Sequence, residues 1–160
     1  MSGVTPAELD GHTFLRGMAD GHLSVLSRVC WVAPVRQGHL FFAEGDIAHR
    51  FWLIRSGHVA LDLHAPGDRQ LIVETLGQGD LLGLSWLVPP YQWQFSATAV
   101  QDTMTIEFNA DAVREACESD PGLGYQLLQR VMSVASSRLQ ATRVRMLDLY
   151  AASGPVRGGP

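Results

Sequence analysis

The sequence predicts a mainly β domain with flanking helices, closed by one long C-terminal helix. Three observations carry this. Between residues 31 and 108, short apolar segments recur, separated by Gly, Pro and Asp turns and uninterrupted by any long helix. That spacing argues for a sandwich or a small barrel. Within it, residues 77–100 (GQGDLLGLSWLVPPYQWQFSATAV) run as glycine turn, short apolar strand, Gly83, one turn of potential helix at 84–87, a Pro89-Pro90 stop and an alternating strand. Such an order cups a small anion on backbone amides. Finally, Asp120-Pro121 opens a run to about Tyr150 in which apolar residues recur every three or four positions.

Composition narrows the classes. The 160 residues suit one domain. The net charge of −4 gives no general attraction to nucleic acid. No apolar run approaches the roughly 20 residues a membrane span needs, and no cleavable signal is visible, so the cytoplasm is the expected location. The 12 basic residues are all arginine, and no Lys, Arg or His falls between Arg69 and Arg114, so the 77–100 stretch has no cation of its own. Cys30 and Cys117 have no metal-ligand spacing and read as structural thiols.

Taken in order, residues 1–12 read as a flexible leader. Residues 13–30 form a helical lead-in with Asp20 as an N-cap. Strands are expected at 31–35, 40–42, 51–55, 58–64, 70–76, 95–100 and 103–108. A short helix at 109–118 turns Asp111 and Glu115 outward. The lead-in and β body thus occupy 13–120, the long helix 121–150 and a disordered tail 151–160, which holds three glycines and two prolines. Along the long helix, Leu128, Val131, Ala135, Leu139, Thr142, Met146 and Leu149 average close to 3.5 residues apart, the period of a coiled-coil seam. Leu127, Met132 and Val134 widen the apolar surface toward the β body. A helix of about 45 Å is too long for one small domain to cover, so a two-fold homodimer is expected.

The 77–100 stretch resembles the phosphate-binding cassette of cyclic nucleotide-binding domains, the family that includes the cyclic-AMP receptor protein and fumarate-nitrate regulators. Further glycine turns at Glu44-Gly45-Asp46 and Ser56-Gly57 extend the likeness over about two thirds of the chain. The resemblance implies a β-roll (a double-stranded jelly roll), with a ligand site at Leu82, Gly83, Leu84, Ser85, Trp86, Phe95, Ser96 and Ala97. It also implies a C-terminal helix that forms the dimer axis and touches the ligand. Two of the family's charges are missing. Leu84 stands where a glutamate holds ribose hydroxyls, and Phe95, or Gln94 if the loop is one residue longer, where an arginine meets the phosphate. The family's transcription factors continue into a helix-turn-helix, which residues 151–160 do not provide, so direct DNA binding is not expected.

Three states of such a pocket are open. In the first, Phe95 and Trp86 fill it, leaving a dimerisation and docking module for another protein or a structural subunit of a larger complex such as a redox enzyme. An apolar or aromatic ligand could occupy it, with Ser85, Ser96 and Thr98 as polar contacts. Or a cation from elsewhere (Arg55, Arg138 or Arg143), with Thr142 beside Arg138, could let a cyclic nucleotide bind. The aromatic loop 86–93 reads equally as core or as docking surface. No cofactor or metal is called for. His58, Asp62 and His64 alternate on one strand face and read as solvent-facing. No nucleophile elbow, Walker loop or paired catalytic carboxylates are present, so no enzyme is expected. The sequence thus points to a regulatory or adaptor domain.

Overall fold

The computed structural model describes residues 2–154. The helices are α1 (Pro6–Asp10), α2 (Asp20–Ser27), α3 (Ala110–Ser119) and α4 (Pro121–Ala152). The strands are β1 (Cys30–Val35), β2 (Leu40–Phe42), β3 (Arg50–Ser56), β4 (Val59–Ala65), β5 (Arg69–Leu76), β6 (Leu81–Leu82), β7 (Ser96–Ala99) and β8 (Thr103–Asn109). They form two antiparallel four-stranded sheets, ordered β1-β8-β3-β6 and β2-β7-β4-β5. This is the β-roll with a long C-terminal helix.

Aromatic stacking holds the roll. The Phe51 ring lies 3.9 Å from Trp86 and 4.6 Å from Phe108, centroid to centroid, and Phe42 lies 3.8 Å from Trp93. Around these rings sit Leu53, Ile54, Leu81, Leu82 and Ile106, all fully buried. α3 and α4 join through Asp120, whose carboxylate accepts from the amides of Gly122 and Leu123. Pro121 opens α4, where its missing N–H removes no helical bond.

Several expectations are corrected. The expected leader carries α1, started by a reciprocal capping pair between Thr5 and Glu8. Leu9 and His12 are buried against the roll. Asp20 is the first residue of α2 and not its cap, since Ala19 holds that place without a side-chain bond. Ala151 and Ala152 continue α4, while residues 155–160 of the expected tail lie outside the described residues. Asp62 is 1% exposed, because Gln70 covers it and donates to its Oδ2 at 2.9 Å; His58 and His64 do face outward.

α4 changes character along its length. Leu123, Leu127 and Val131 are buried in its first half, and from Leu139 onward every residue is exposed. Val131, expected on the seam, is only 4% exposed, whereas Met132, expected toward the roll, is 58% exposed. The outward apolar stripe is therefore Tyr125, Leu128, Met132, Ala135, Leu139, Thr142, Met146 and Leu149. Its steps alternate strictly between three and four.

Candidate ligand-binding site

β6 pairs with β3 and ends at Gly83, which has a φ of +106°. A side chain there would be strained, and its Cβ would lie 2.8 Å from the Trp93 ring. Residues 84–90 follow as turns without a regular helix, unlike the expected helical turn at 84–87. Trp86 anchors them from below, its Nε1 donating to the Gly83 carbonyl at 3.1 Å. Arg114 of α3 anchors them from the side. Its Nη1 donates to the Trp86 carbonyl at 2.6 Å, and its guanidinium lies 4.3 Å from the centre of the Tyr91 ring. Asp111 pairs with the other end of that guanidinium.

This loop, the second sheet and α4 enclose a cavity of about 490 Å³. Gly83, Leu84 and Ser85 form one wall, with Gln94 and Phe95 beside them. Phe42, Leu61, Leu63, Val73 and Trp93 make the sheet side, and Ala135, Arg138, Leu139 and Thr142 the helix side. Among the described residues, its two charged lining residues are Arg138 and Glu74. The Arg138 Nε lies 3.9 Å from Glu74 Oε2, and its Nη2 donates to the Leu81 carbonyl. Burial pulls the Arg138 guanidinium below its ordinary value, opposed by the nearby Glu74 and Asp80 carboxylates. An arginine titrates so high that it stays charged regardless. The same two residues also line a second cavity of similar size, bounded by Thr13, Asp80, Arg130 and Ser137.

Glu74 reaches the cavity through a β-bulge. Leu61 pairs with Glu74 while Asp62 pairs with Ile72, so Val73 has no partner in the ladder. Residues directly opposite in an antiparallel pair share a face, and Glu74 therefore points inward with Leu61. The Val73 carbonyl accepts from Arg145 Nη1 at 2.7 Å. Arg130 makes a similar clasp, donating to the carbonyls of Phe14 and Arg16 at 3.0 and 3.1 Å. Arg138 and Arg145 thus hold α4 to the roll, and Arg130 holds it to the segment between α1 and α2, all by backbone carbonyls.

Of the residues expected to bind ligand, Gly83, Leu84, Ser85, Phe95, Arg138 and Thr142 come together around the cavity. The others do not line it. Leu82 pairs with Trp52 in the sheet, and Trp86 and Ala97 lie in the core. Ser96 is buried, its Oγ accepting from the Glu44 amide at 3.0 Å. Trp86 and Phe95 therefore do not fill the pocket. Thr98 also lies off the wall. Among the candidate cations only Arg138 reaches it, for Arg55 sits on the far side, 3.9 Å from Glu8. The aromatic loop divides: Trp86 and Trp93 are buried, while Val88, Pro89 and Pro90 are exposed.

Two residues that shape the candidate site, Glu74 and Arg114, are not singled out by the sequence. Glu74 shares the inward parity of Leu76, which was a usable signal, but the bulge beside it was not legible. Arg114 carried no signal, since its contact with the loop is tertiary.

Residues 33–120 match the cyclic nucleotide-binding domain family over more than half of the chain. The chain belongs to that family. A CRP-like cAMP-activated global transcriptional regulator of Mycobacterium tuberculosis is 27% identical over 142 residues, covering 89% of this chain and 62% of the relative. This chain therefore spans less than two thirds of that relative's length. A candidate cyclic nucleotide-binding protein from Geobacter metallireducens GS-15 superposes with a TM-score of 0.78 at 24% identity, covering 85% of this chain and 98% of the other. The Thermus thermophilus catabolite activator protein gives 0.67 at 22% identity, covering 87% and 63%. At such identities these structures support the fold alone. Among the described residues, no helix is long and apolar enough to cross a membrane.

Proposed function

We propose that this chain is a non-enzymatic regulatory domain whose cassette has lost its phosphate-binding charges. In this reading a small ligand occupies the cavity between roll and α4, and α4 reports its presence through a homodimer. One observation carries it. The cavity is open, and Ala135, Leu139 and Thr142 line its wall and also lie on the outward stripe of α4, where Leu139 and Thr142 are exposed and Ala135 is half-buried. A ligand beneath these residues alters the surface that a second copy of α4 would meet. The dimer acts on a protein partner and not on DNA directly. In support, Arg130, Arg138 and Arg145 are turned onto backbone carbonyls and present no basic face.

The test is thermal unfolding with millimolar cyclic AMP and, separately, with N-phenyl-1-naphthylamine, a neutral apolar probe. A ligand at one hundred times its dissociation constant stabilises by about 2.7 kcal/mol, a readily visible shift in a domain of this size. Stabilisation by at least one compound, lost when Ala135→Phe fills the cavity, is expected. If neither compound stabilises the protein, the cavity is not a ligand site.

A further inference from the structure

We propose that the cavity selects a neutral, mainly apolar molecule with a hydroxyl or carbonyl end, and that Glu74 is the residue that excludes anions. The inference rests on the cavity being a ligand site, and adds what kind of ligand it takes.

The wall is largely hydrocarbon and aromatic, and its charges cancel. Among the described residues Arg138 is the one cation lining it, and that cation is already engaged, with its Nη2 on the Leu81 carbonyl and its Nε toward Glu74. Nearby guanidiniums are committed elsewhere: Arg114 to the Trp86 carbonyl and Arg145 to that of Val73. The side chains of Arg138 and Glu74 are only 18% and 25% exposed, so water screens their charges weakly. An entering phosphate or carboxylate would lie beside the Glu74 carboxylate, or would draw Arg138 away and leave Glu74 unpaired at a half-buried position. Either event opposes binding. A neutral molecule brings no such conflict. Its hydroxyl can donate to Glu74, its carbonyl can accept from Arg138, and its apolar body can lie against Leu61, Leu63, Trp93 and Phe95.

Glu74 is not there by accident of a flexible side chain. Antiparallel register places it opposite Leu61, and the bulge at Val73 fixes that register against slippage toward Ile72. The exclusion of anions is therefore built into the ladder.

The experiment compares N-phenyl-1-naphthylamine with its anionic relative 8-anilinonaphthalene-1-sulfonate, and both with cyclic AMP. Affinities are measured by fluorescence titration on wild type and Glu74→Gln, an isosteric change whose fold is verified by thermal unfolding. Wild type is expected to prefer the neutral probe. Glu74→Gln is expected to raise the affinity for both anions by roughly tenfold relative to that for the neutral probe, since one unit charge is removed at near-constant shape. Tight cyclic AMP binding by wild type, or an unchanged neutral-to-anion ratio in the variant, would overturn the inference while leaving the ligand site standing. No binding of any of the three would overturn both.

Discussion

His12 ties three parts of the molecule together through one imidazole. The Phe14 amide donates to its Nδ1 at 3.1 Å, so the proton rests on Nε2, which donates to the Ile54 carbonyl at 3.0 Å. Phe14 in turn offers its carbonyl to Arg130 of α4. Burial holds the His12 ring below its ordinary value, outweighing the Ile54 hydrogen bond and the Asp80 charge that push it up; Arg55 and Arg16 also lower it. In the unfolded chain the ring titrates near 6.5. The unfolded state therefore takes up a proton first as pH falls, and stability declines from about that pH downward, toward the lower folded value. Urea unfolding midpoints measured from pH 8 to pH 5 should fall in the wild type and fall less in His12→Gln. A midpoint that falls equally in both would assign the loss to other groups. His12 also shows a limit of sequence reading. It lies just after α1, whose five residues are too few to show a helical period in the sequence. Leu84 and Phe95, by contrast, are placed on the cavity wall beside Gly83, where the sequence sets them through their spacing from Gly83 and Ser96.

At the scale of elements, α4 shows both what was legible and what was not. Its start was plain from Asp120-Pro121 and its length from the apolar period. Its rotation was not. Two apolar stripes run side by side through its first half: Leu123, Leu127, Val131 and Val134 inward, and Tyr125, Leu128, Met132 and Ala135 outward. Val131 and Met132 are adjacent and similarly apolar, so spacing alone could assign either one to the seam. Packing against the roll decides between them. Two substitutions separate the stripes. Leu139→Asp, on a residue 62% exposed, should weaken self-association in sedimentation velocity without lowering the unfolding midpoint measured at dilutions where both proteins are monomeric. Val131→Ala should lower stability by about 2 kcal/mol through the cavity it leaves, with little effect on association. The reverse pattern would place the seam on the other stripe. Among the strands, 70–76 was recognised as a strand, yet its bulge was invisible. A bulge depends on which partner residues the neighbouring strand offers, and one strand's own sequence does not carry that.

On the scale of the whole molecule, the roll supplies one side of the cavity and α4 the other. The roll was foreseen from the ordered glycine turns, which need particular backbone angles wherever they occur. The open cavity was not, because whether Trp86 points into the core or into the pocket is settled by the Phe51 and Phe108 rings it joins. Arg114 and Glu74 likewise act across the fold, at 28 and 64 positions from Trp86 and Arg138. Ala135, Leu139 and Thr142 are shared between cavity and stripe. Under the proposed function, linkage requires that ligand and partner helix affect each other's binding equally. The most direct measurement is the dimer dissociation constant by sedimentation equilibrium, with and without saturating N-phenyl-1-naphthylamine. The account predicts that the probe changes it by roughly fivefold or more, toward tighter association. A probe that binds in the cavity and leaves the dimer constant unchanged would contradict it.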